Sequence, residues 1–433
     1  MTRVKRVERN DLRAPARVLD LELAAGDSGP DGIVDVGRYN SVWCLSRING
    51  VPQEISFWDV SGDDALAIAG LRDQLLAEAA RDNPAAAQAS PPQATSAADL
   101  TVVICTRDRP DGLRDTLVGL RGQTDSAFNV VVVDNDPSSS DAEKVVDQVG
   151  LPRCTYLVEP RPGLSRARNR GLRAVATELV AWIDDDETAD PNWVRAVKQG
   201  FAHESRPAAV CGVMLPAELE YEAQVRFEQY GGFNKGRGMA PEVLRAGTPS
   251  VTSPLYPLPS FGPGGNMAFR TESLLRSGGF DPYLGVGTRT GGCEETRALS
   301  LVLSAGDAVL HWPAAIMWHM HRRDMAGLRK QFYGYSAGAS AFYMSMIKSR
   351  PTAVFDILGL FPHVLRDFRD SSENQRSGHL PDDFPADLRK AARQGLLAGP
   401  LMYAFEVVKD RRKSALPEEK SSSISSGDLK IFS

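Results

Sequence analysis

The chain predicts an α/β protein in which a doubly wound sheet domain is preceded by a small α+β module and followed by helices. Two observations carry this expectation. The runs LTVVICT, NVVVVD and LVAWID are almost continuously apolar, as strands buried on both faces of a parallel sheet must be, and segments with helical spacing separate them. Each run also stops on polar or acidic residues: Thr106-Arg107, Asp134 and Asp184-Asp185-Asp186. Ligands of such sheets bind off the carboxyl ends of the strands, so these groups are expected along one functional edge.

Residues 1–84 read as the small module. RVLDLEL, SVWCLSRI and QEISFWDV have strand character, and Asn49-Gly50 between the last two signals a hairpin because both residues tolerate positive φ. DDALAIAGLRDQLLAEAARD repeats Leu and Ala at helical spacing. Residues 85–98, rich in Ala, Ser, Gln and Pro, read as a flexible linker. The sheet domain is expected over 99–340, with a helix opening after Pro110 that carries Leu113, Leu117 and Leu120, and another over RARNRGLRAVAT. Amphipathic helices are expected over 341–413, and a polar, Ser-rich disordered tail over 414–433.

Composition narrows the function classes. A hydrophobic content of 42% with 24% charged residues is that of a folded, soluble protein. A net charge of -5 argues against a nucleic-acid binder that relies on overall positive charge. The five cysteines are scattered singly, without a CxxC pair, which excludes a disulfide framework and standard zinc or iron-sulfur spacings and fits a reducing compartment. MTRVKRVERNDLRAP lacks the apolar core of a secretory signal, and no run approaches the roughly 20 apolar residues that span a bilayer. A cytoplasmic protein is expected. Its C-terminal helices are candidates for peripheral contact with the inner face of the membrane, for a homodimer face or for a cover over the core.

The acidic triplet is the sharpest single feature. Adjacent aspartates followed by Glu187 resist simultaneous ionisation unless a cation or solvent neutralises them. Carboxylate oxygens suit Mg²⁺ or Mn²⁺, with phosphate oxygens completing the shell. A solvated loop ahead of Asp190-Pro191 explains the same residues without any ligand.

The order of several segments decides between these readings. TVVICTRDRPDGLRDTLVGLRGQ, VVVVDN, PGLSRARNRG, AWIDDDE, GGNMAFR, GGFDPYLG and GGCEETRALSLVLSAG together resemble the inverting, GT-A-fold glycosyltransferases of glycosyltransferase family 2, from about Leu100 to Gly338. The resemblance implies a GT-A type mixed sheet, a nucleoside-diphosphate sugar as co-substrate, a divalent metal (Mn²⁺ or Mg²⁺) and no protein nucleophile. It places Thr106, Arg107 and Asp134 at the donor nucleotide. Arg166 and Arg168 are phosphate candidates or plain surface arginines. Asp184 and Asp186 match the DxD positions, with Asp186 on the metal and Asp184 or Asp185 turned to the ribose; Asp184 remains a candidate ligand as well. Glu294-Glu295 stands where family members carry a Glu-Asp pair that includes the general base, so Glu295 is the expected base and Glu294 the runner-up. His319, in an HxH with His321, is the expected additional metal ligand. Asn266, Asp281 and Trp318 are weaker candidates for the acceptor side, and Trp312 and Trp318 suit either a sugar or the core.

The expected activity is transfer of a sugar to an acceptor hydroxyl by metal-assisted single displacement. The acceptor is either a lipid-linked saccharide or polysaccharide precursor, or a small natural product. Two other classes compete. A sugar-nucleotide-forming nucleotidyltransferase also uses a doubly wound sheet and acidic metal sites, but VVICTRDRPDG lacks the Gly-rich loop that cradles a triphosphate. An inactive carbohydrate-binding or scaffold protein is supported only by Glu295 in place of aspartate.

Overall fold

A computed structural model describes residues 4–24, 32–82, 98–235, 237–257, 260–360, 362–363, 380–415 and 430–431. Within the N-terminal module, β1 (Lys5–Val7), β2 (Ala16–Glu22), β3 (Ile33–Asp35), β4 (Ser41–Ile48), β5 (Val51–Asp59) and β6 (Ala65–Ala67) lead into α1 (Ile68–Asp82). The first sheet runs β1-β5-β4-β2. Its β4–β5 hairpin turns through Asn49 and Gly50, whose φ values of 52° and 77° are the positive pair that such a two-residue turn requires.

The main domain contains β7 (Leu100–Thr106), α2 (Pro110–Arg121), β8 (Phe128–Asn135), α3 (Asp141–Val149), β9 (Cys154–Glu159), α4 (Leu164–Leu172), β10 (Leu179–Asp184), β11 (Glu187–Ala189) and α5 (Trp193–Phe201). It continues with β12 (Ala209–Pro216), α6 (Glu222–Gln229), β13 (Glu242–Leu244), β14 (Met267–Arg270), α7 (Thr271–Arg276), α8 (Glu294–Ser304) and β15 (Val309–His319). Then follow α9 (Met325–Ser349), α10 (Ala353–Gly359), α11 (Ala386–Ala415) and the short β16 (Lys430–Ile431). The linker expected over 85–98 and the tail expected over 414–433 fall almost wholly outside the described residues.

The large sheet is mixed, in the order β11-β15-β12-β14-β10-β7-β8-β9-β16. Strands β10, β7, β8 and β9 are parallel, and β14 runs antiparallel between β10 and β12. Apolar residues on both sheet faces form two core clusters, one holding Val102, Ile104 and Val132, the other Val103, Val131 and Val133. That alternation is why these strands read as unbroken apolar runs.

Two features differ from expectation. The helical region starts at Met325 in α9, capped by Asp324 accepting from the Gly327 N–H at 2.7 Å, not at residue 341. Gly338 does not break this helix; a Cβ there would lie 2.8 Å from Gly292, so the glycine admits the loop that leads into α8. The N-terminal module is also more than an appendage. Strand β4 is buried throughout: Val42 and Cys44 face α1, whereas Trp43 and Leu45 join Val213, Leu215 and Ile316 of the main sheet.

Arg47 ties the two together electrostatically, bonding Asp20 and, at 2.7 Å, the buried Asp190 after β11. Removing one partner of a buried pair strands the other charge. Arg47→Ala is therefore expected to lower unfolding free energy by about 3 kcal/mol, measured by urea titration. A loss no larger than that of an exposed arginine would show that the pair does not hold the module.

Candidate active site

The carboxyl ends of β7, β8 and β10 carry the candidate site. Strand β10 ends at Asp184, and a two-residue turn through Asp185 and Asp186 returns the chain into β11 at Glu187. The Asp184 backbone N–H donates to Glu187 Oε2 at 3.2 Å, which folds the turn over the Glu187 side chain. The four carboxylates then point to different partners.

Asp184 accepts from Arg168 Nη2 at 3.2 Å. Asp185 is buried, accepting from Thr106 Oγ1 at 2.8 Å and Arg109 Nη1 at 3.0 Å, and burial pushes its pKa up to about 6. Asp186 accepts from Arg109 Nη1 at 3.1 Å and has His319 Nε2 3.8 Å from Oδ1. Glu187 is 2% exposed, its Oε1 has no hydrogen-bond partner among the described residues, and burial beside Asp184 and Asp186 raises its pKa well above the ordinary value.

Ligand atoms of Asp186, Glu187 and His319 all lie within 4.8 Å of one another. Of the three residues named from the sequence for a metal, Asp186 and His319 lie together, and Glu187 rather than Asp184 completes the group. The reason is the return into β11, which brings Glu187 inward while Asp184 turns to Arg168. Burial, with His321 beside it, lowers the His319 pKa to about 3, so the ring is neutral and able to give a lone pair. An unsatisfied buried carboxylate oxygen, a second carboxylate and a neutral imidazole suit a small divalent cation. Gly265 makes room for this set, since a Cβ there would lie 2.0 Å from Glu187 Oε1.

Arg168 links this turn to the second carboxylate pair. It is 1% exposed on α4 and donates to Glu294 Oε1 at 2.9 Å and the Gly264 carbonyl at 3.1 Å, besides Asp184. Burial opposes its charge, but Asp184 and Glu294 more than offset this and raise its pKa. Arg168 is therefore spent on protein carboxylates and does not face solvent as a phosphate ligand. Arg166 is likewise engaged, with Asp410 of α11 at 2.8 Å.

Glu294 and Glu295 open α8. Glu294 is buried, and burial with Glu295 beside it pushes its pKa up to about 7. Glu295 is partly exposed, accepts from Thr296 Oγ1 at 2.9 Å and is also raised by burial. Its side chain passes Gly264, where a Cβ would lie 3.4 Å from Glu295 Cγ. Tyr335 of α9, which no sequence signal singled out, borders the site: burial raises its pKa, and both Glu295 and Asp186 add to the rise.

On the β8 edge, Asp134 accepts from the Tyr156 hydroxyl at 2.7 Å, while its Oδ1 is buried without a partner among the described residues. Arg107 turns away to Asp136 at 2.5 Å, and it is Arg109 that reaches the acidic turn. The acceptor-side candidates have other work. Asn266 donates to the carbonyls of Val213 and Ala315, both at 2.8 Å, and accepts from Trp193 Nε1 at 2.8 Å. It fills the ladder where the β12–β15 register shifts, beside Pro313, which cannot donate. Asp281 accepts from Ser345 and from the Tyr403 hydroxyl, holding α9 and α11 together. Trp318 packs on the apolar cluster shared with the N-terminal module, and Trp312 lies against His203.

The model of the family described as Glycosyl transferase family 2 matches residues 101–276. A pre-mycofactocin glycosyltransferase of Mycobacterium tuberculosis is 31% identical over 280 residues, covering 63% of this chain and 54% of the relative. A glucosyl-dolichyl phosphate glucuronosyltransferase of Haloferax volcanii is 24% identical over 197 residues, 43% of this chain and 57% of the relative. The chain thus spans little more than half the length of these curated relatives. Among solved structures, a mannosyltransferase from Pyrobaculum calidifontis in complex with GDP-Man and Mn²⁺ matches with a TM-score of 0.42 and 16% identity, covering 75% of this chain and 80% of that one.

The raised carboxylates give the metal-free site a pH signature. A group with its folded pKa above its unfolded pKa costs stability as pH rises between the two values. For Glu294 that window runs from 4.5 to about 7. Relative to Glu294→Gln, the wild type is expected to lose stability across this window, at up to about 1.4 kcal/mol per pH unit. Urea unfolding of both proteins at several pH values checks this; parallel curves would contradict the assigned shift.

Proposed function

We propose, from the match of residues 101–276 to the model described as Glycosyl transferase family 2, that this chain transfers a sugar from a nucleoside-diphosphate sugar to an acceptor hydroxyl with inversion. The observation that carries the reading is the buried Arg168 bridge, which joins an acidic turn suited to a cation to a carboxylate pair suited to proton removal.

Asp186, Glu187 and His319 would hold Mn²⁺ or Mg²⁺. Bound there, the ion would offset the charge that grows on the leaving diphosphate. Arg109 and Arg322, 3.1 and 4.0 Å from Asp186, add positive charge to the same side. Asp134, with one carboxylate oxygen lacking a partner, is suited to accept a base N–H or ribose hydroxyl, with Thr106 and Asp185 beside it on the strand edge.

Glu295 is the general base in this scheme. Glu294 is held by a charged hydrogen bond from Arg168, which lowers the proton affinity of the oxygen concerned. Glu295 has no such bond among the described residues; it accepts from Thr296 and is partly exposed. A base must reach the hydroxyl it deprotonates, and the longer glutamate does so from the first turn of α8. No protein nucleophile is required.

The two named relatives differ in acceptor by their names, one on pre-mycofactocin and one on a glucosyl-dolichyl phosphate. A surface feature favours an acceptor presented at a membrane. Helix α11 exposes Leu397, Leu401 and Phe405, at 80%, 78% and 48%, and Lys390, Arg393, Lys409 and Arg411 are exposed along the same helix. Apolar side chains flanked by cations suit the surface of an anionic bilayer. No helix among the described residues is long and apolar enough to cross a membrane, so this contact would be peripheral.

Glu295→Gln is expected to lower kcat by about 10²–10⁴ while donor binding stays near wild type. Product analysis with a panel of nucleotide sugars and Mn²⁺ measures both. Turnover near wild type would remove Glu295 from the base role, and pyrophosphate release from a nucleoside triphosphate and a sugar phosphate would favour nucleotidyl transfer instead. For the surface, the protein is expected to float with vesicles containing phosphatidylglycerol and not with phosphatidylcholine alone, and Leu397→Glu/Leu401→Glu to abolish flotation. Flotation unchanged by the double variant would sink the α11 assignment.

A further inference from the structure

A hydrogen-bonded chain runs from the N-terminal module to the acidic turn. Trp43 Nε1 of β4 donates to Glu228 Oε2 at 3.3 Å, and Glu228 Oε1 lies 3.1 Å from His321 Nε2. His321 Nδ1 lies 2.8 Å from His319 Nδ1, and His319 Nε2 faces Asp186 at 3.8 Å. All four side chains of Trp43, Glu228, His321 and His319 are buried. Three ring contacts hold the imidazoles in place: Phe227 against His321 at 5.0 Å, and Phe233 against His319 at 4.8 Å and His321 at 5.6 Å. Gly232 leaves the space that Glu228 occupies, since a Cβ there would lie 2.4 Å from Glu228 Oε1.

Counting protons along this chain fixes the tautomers. With one ring proton on each imidazole, each ring offers one donor and one acceptor. A carboxylate only accepts, so the His321 proton must sit on Nε2 to satisfy Glu228. His321 Nδ1 is then an acceptor, and His319 must supply the proton of the Nδ1–Nδ1 bond. That leaves the lone pair of His319 on Nε2, the nitrogen that faces Asp186 and Glu187. With one proton per ring, the opposite order would leave the Glu228 carboxylate facing a bare His321 nitrogen.

We propose that Glu228 and His321, anchored by Trp43 of the N-terminal module, are positioning residues that hold the His319 proton on Nδ1 and aim its Nε2 lone pair into the cation site. The tautomer assignment rests on the hydrogen bonds and on one ring proton per imidazole. Its consequence for metal affinity rests on the cation-site reading given above. Partners behind a ligating histidine fix its ring and its basicity in this way. The module's contact with the main sheet therefore reaches the candidate active site through one indole and one carboxylate.

The test separates these two layers. Long-range ¹H–¹⁵N correlation on the six histidines of the metal-free full chain, with His319→Asn and His321→Asn spectra for assignment, is expected to show His319 protonated on Nδ1 and His321 on Nε2. A His319 resonance protonated on Nε2 would overturn the proposal. Mn²⁺ affinity is then read by electron paramagnetic resonance. Glu228→Gln keeps an acceptor oxygen and is expected to retain the tautomers and bind Mn²⁺ near the wild-type level. Glu228→Leu is expected to mix the His319 tautomers and weaken Mn²⁺ binding by about 10–100-fold. Equal affinity in wild type and a folded Glu228→Leu, or loss in Glu228→Gln as large as in Glu228→Leu, would overturn the positioning role. Wild type that shows the expected tautomers but binds no Mn²⁺ would sink the cation-site reading and the proposed consequence, and leave the tautomer assignment intact.

Discussion

The buried guanidinium of Arg168 sits between Asp184 and Glu294, and most of the site depends on it. Asp184 ends a strand and Glu294 starts a helix 110 residues later, so neither fixes the other's position by local geometry. Arg168 does so because its planar fork satisfies two carboxylates and the Gly264 carbonyl at once. Burying these charges carries a large desolvation cost, and removing any one member strands the others. The surroundings are built for this arrangement. Gly171 lets α4 lie on β7 and β8, since a Cβ there would meet Val103 at 2.5 Å. Ser165 and Asn169 of α4 donate to the carbonyls of Leu284 and Phe280, which stitches the helix to the loop ahead of α8.

The same arginine makes the two glutamates of α8 unequal. Both are buried enough to resist ionisation, yet among the described residues only Glu294 has a cation within hydrogen-bonding distance. The Glu294 charge is thereby tied to structure. Glu295 keeps a raised proton affinity without a charged hydrogen-bond partner. Two adjacent identical residues thus acquire different chemistry from one neighbour, as pairs of titratable groups in unequal surroundings do.

The strand edge was legible in the sequence because its cause is local. A strand buried on both faces must be apolar until it reaches solvent, so Asp134 and Asp184 announce where β8 and β10 end. The Asn49-Gly50 hairpin is legible for a similar reason. The choice of partners was not. Arg168, read as a phosphate or surface residue, is a structural cation because α4 packs against a loop more than 110 residues away. Glu187 followed the triplet as one more acidic residue, and only the tight return into β11 turns it inward. Asn266 and Asp281 carry no sequence mark that separates a satisfied buried amide or carboxylate from a ligand. Arg109 carries no mark in the sequence because Arg107 sits nearer the strand end, although the backbone turn through Asp108 at φ 51° aims the later arginine at the acidic turn.

The N-terminal module presents the other long-range dependence. Its hairpin strand β4 offers Val42 and Cys44 to α1 and Trp43 and Leu45 to the main sheet, so its odd and even residues belong to two different cores. A strand that serves two cores cannot slip in register without exposing both. The position of the Trp43 indole is therefore set by two packed layers, more firmly than a loop could set it. Glu228 lies on α6, which packs into that shared core through Val225, and the histidine pair stands behind it. Rigidity acquired far from the acidic turn, through ordinary apolar packing, is what allows a buried carboxylate to impose one proton arrangement on His321 and His319.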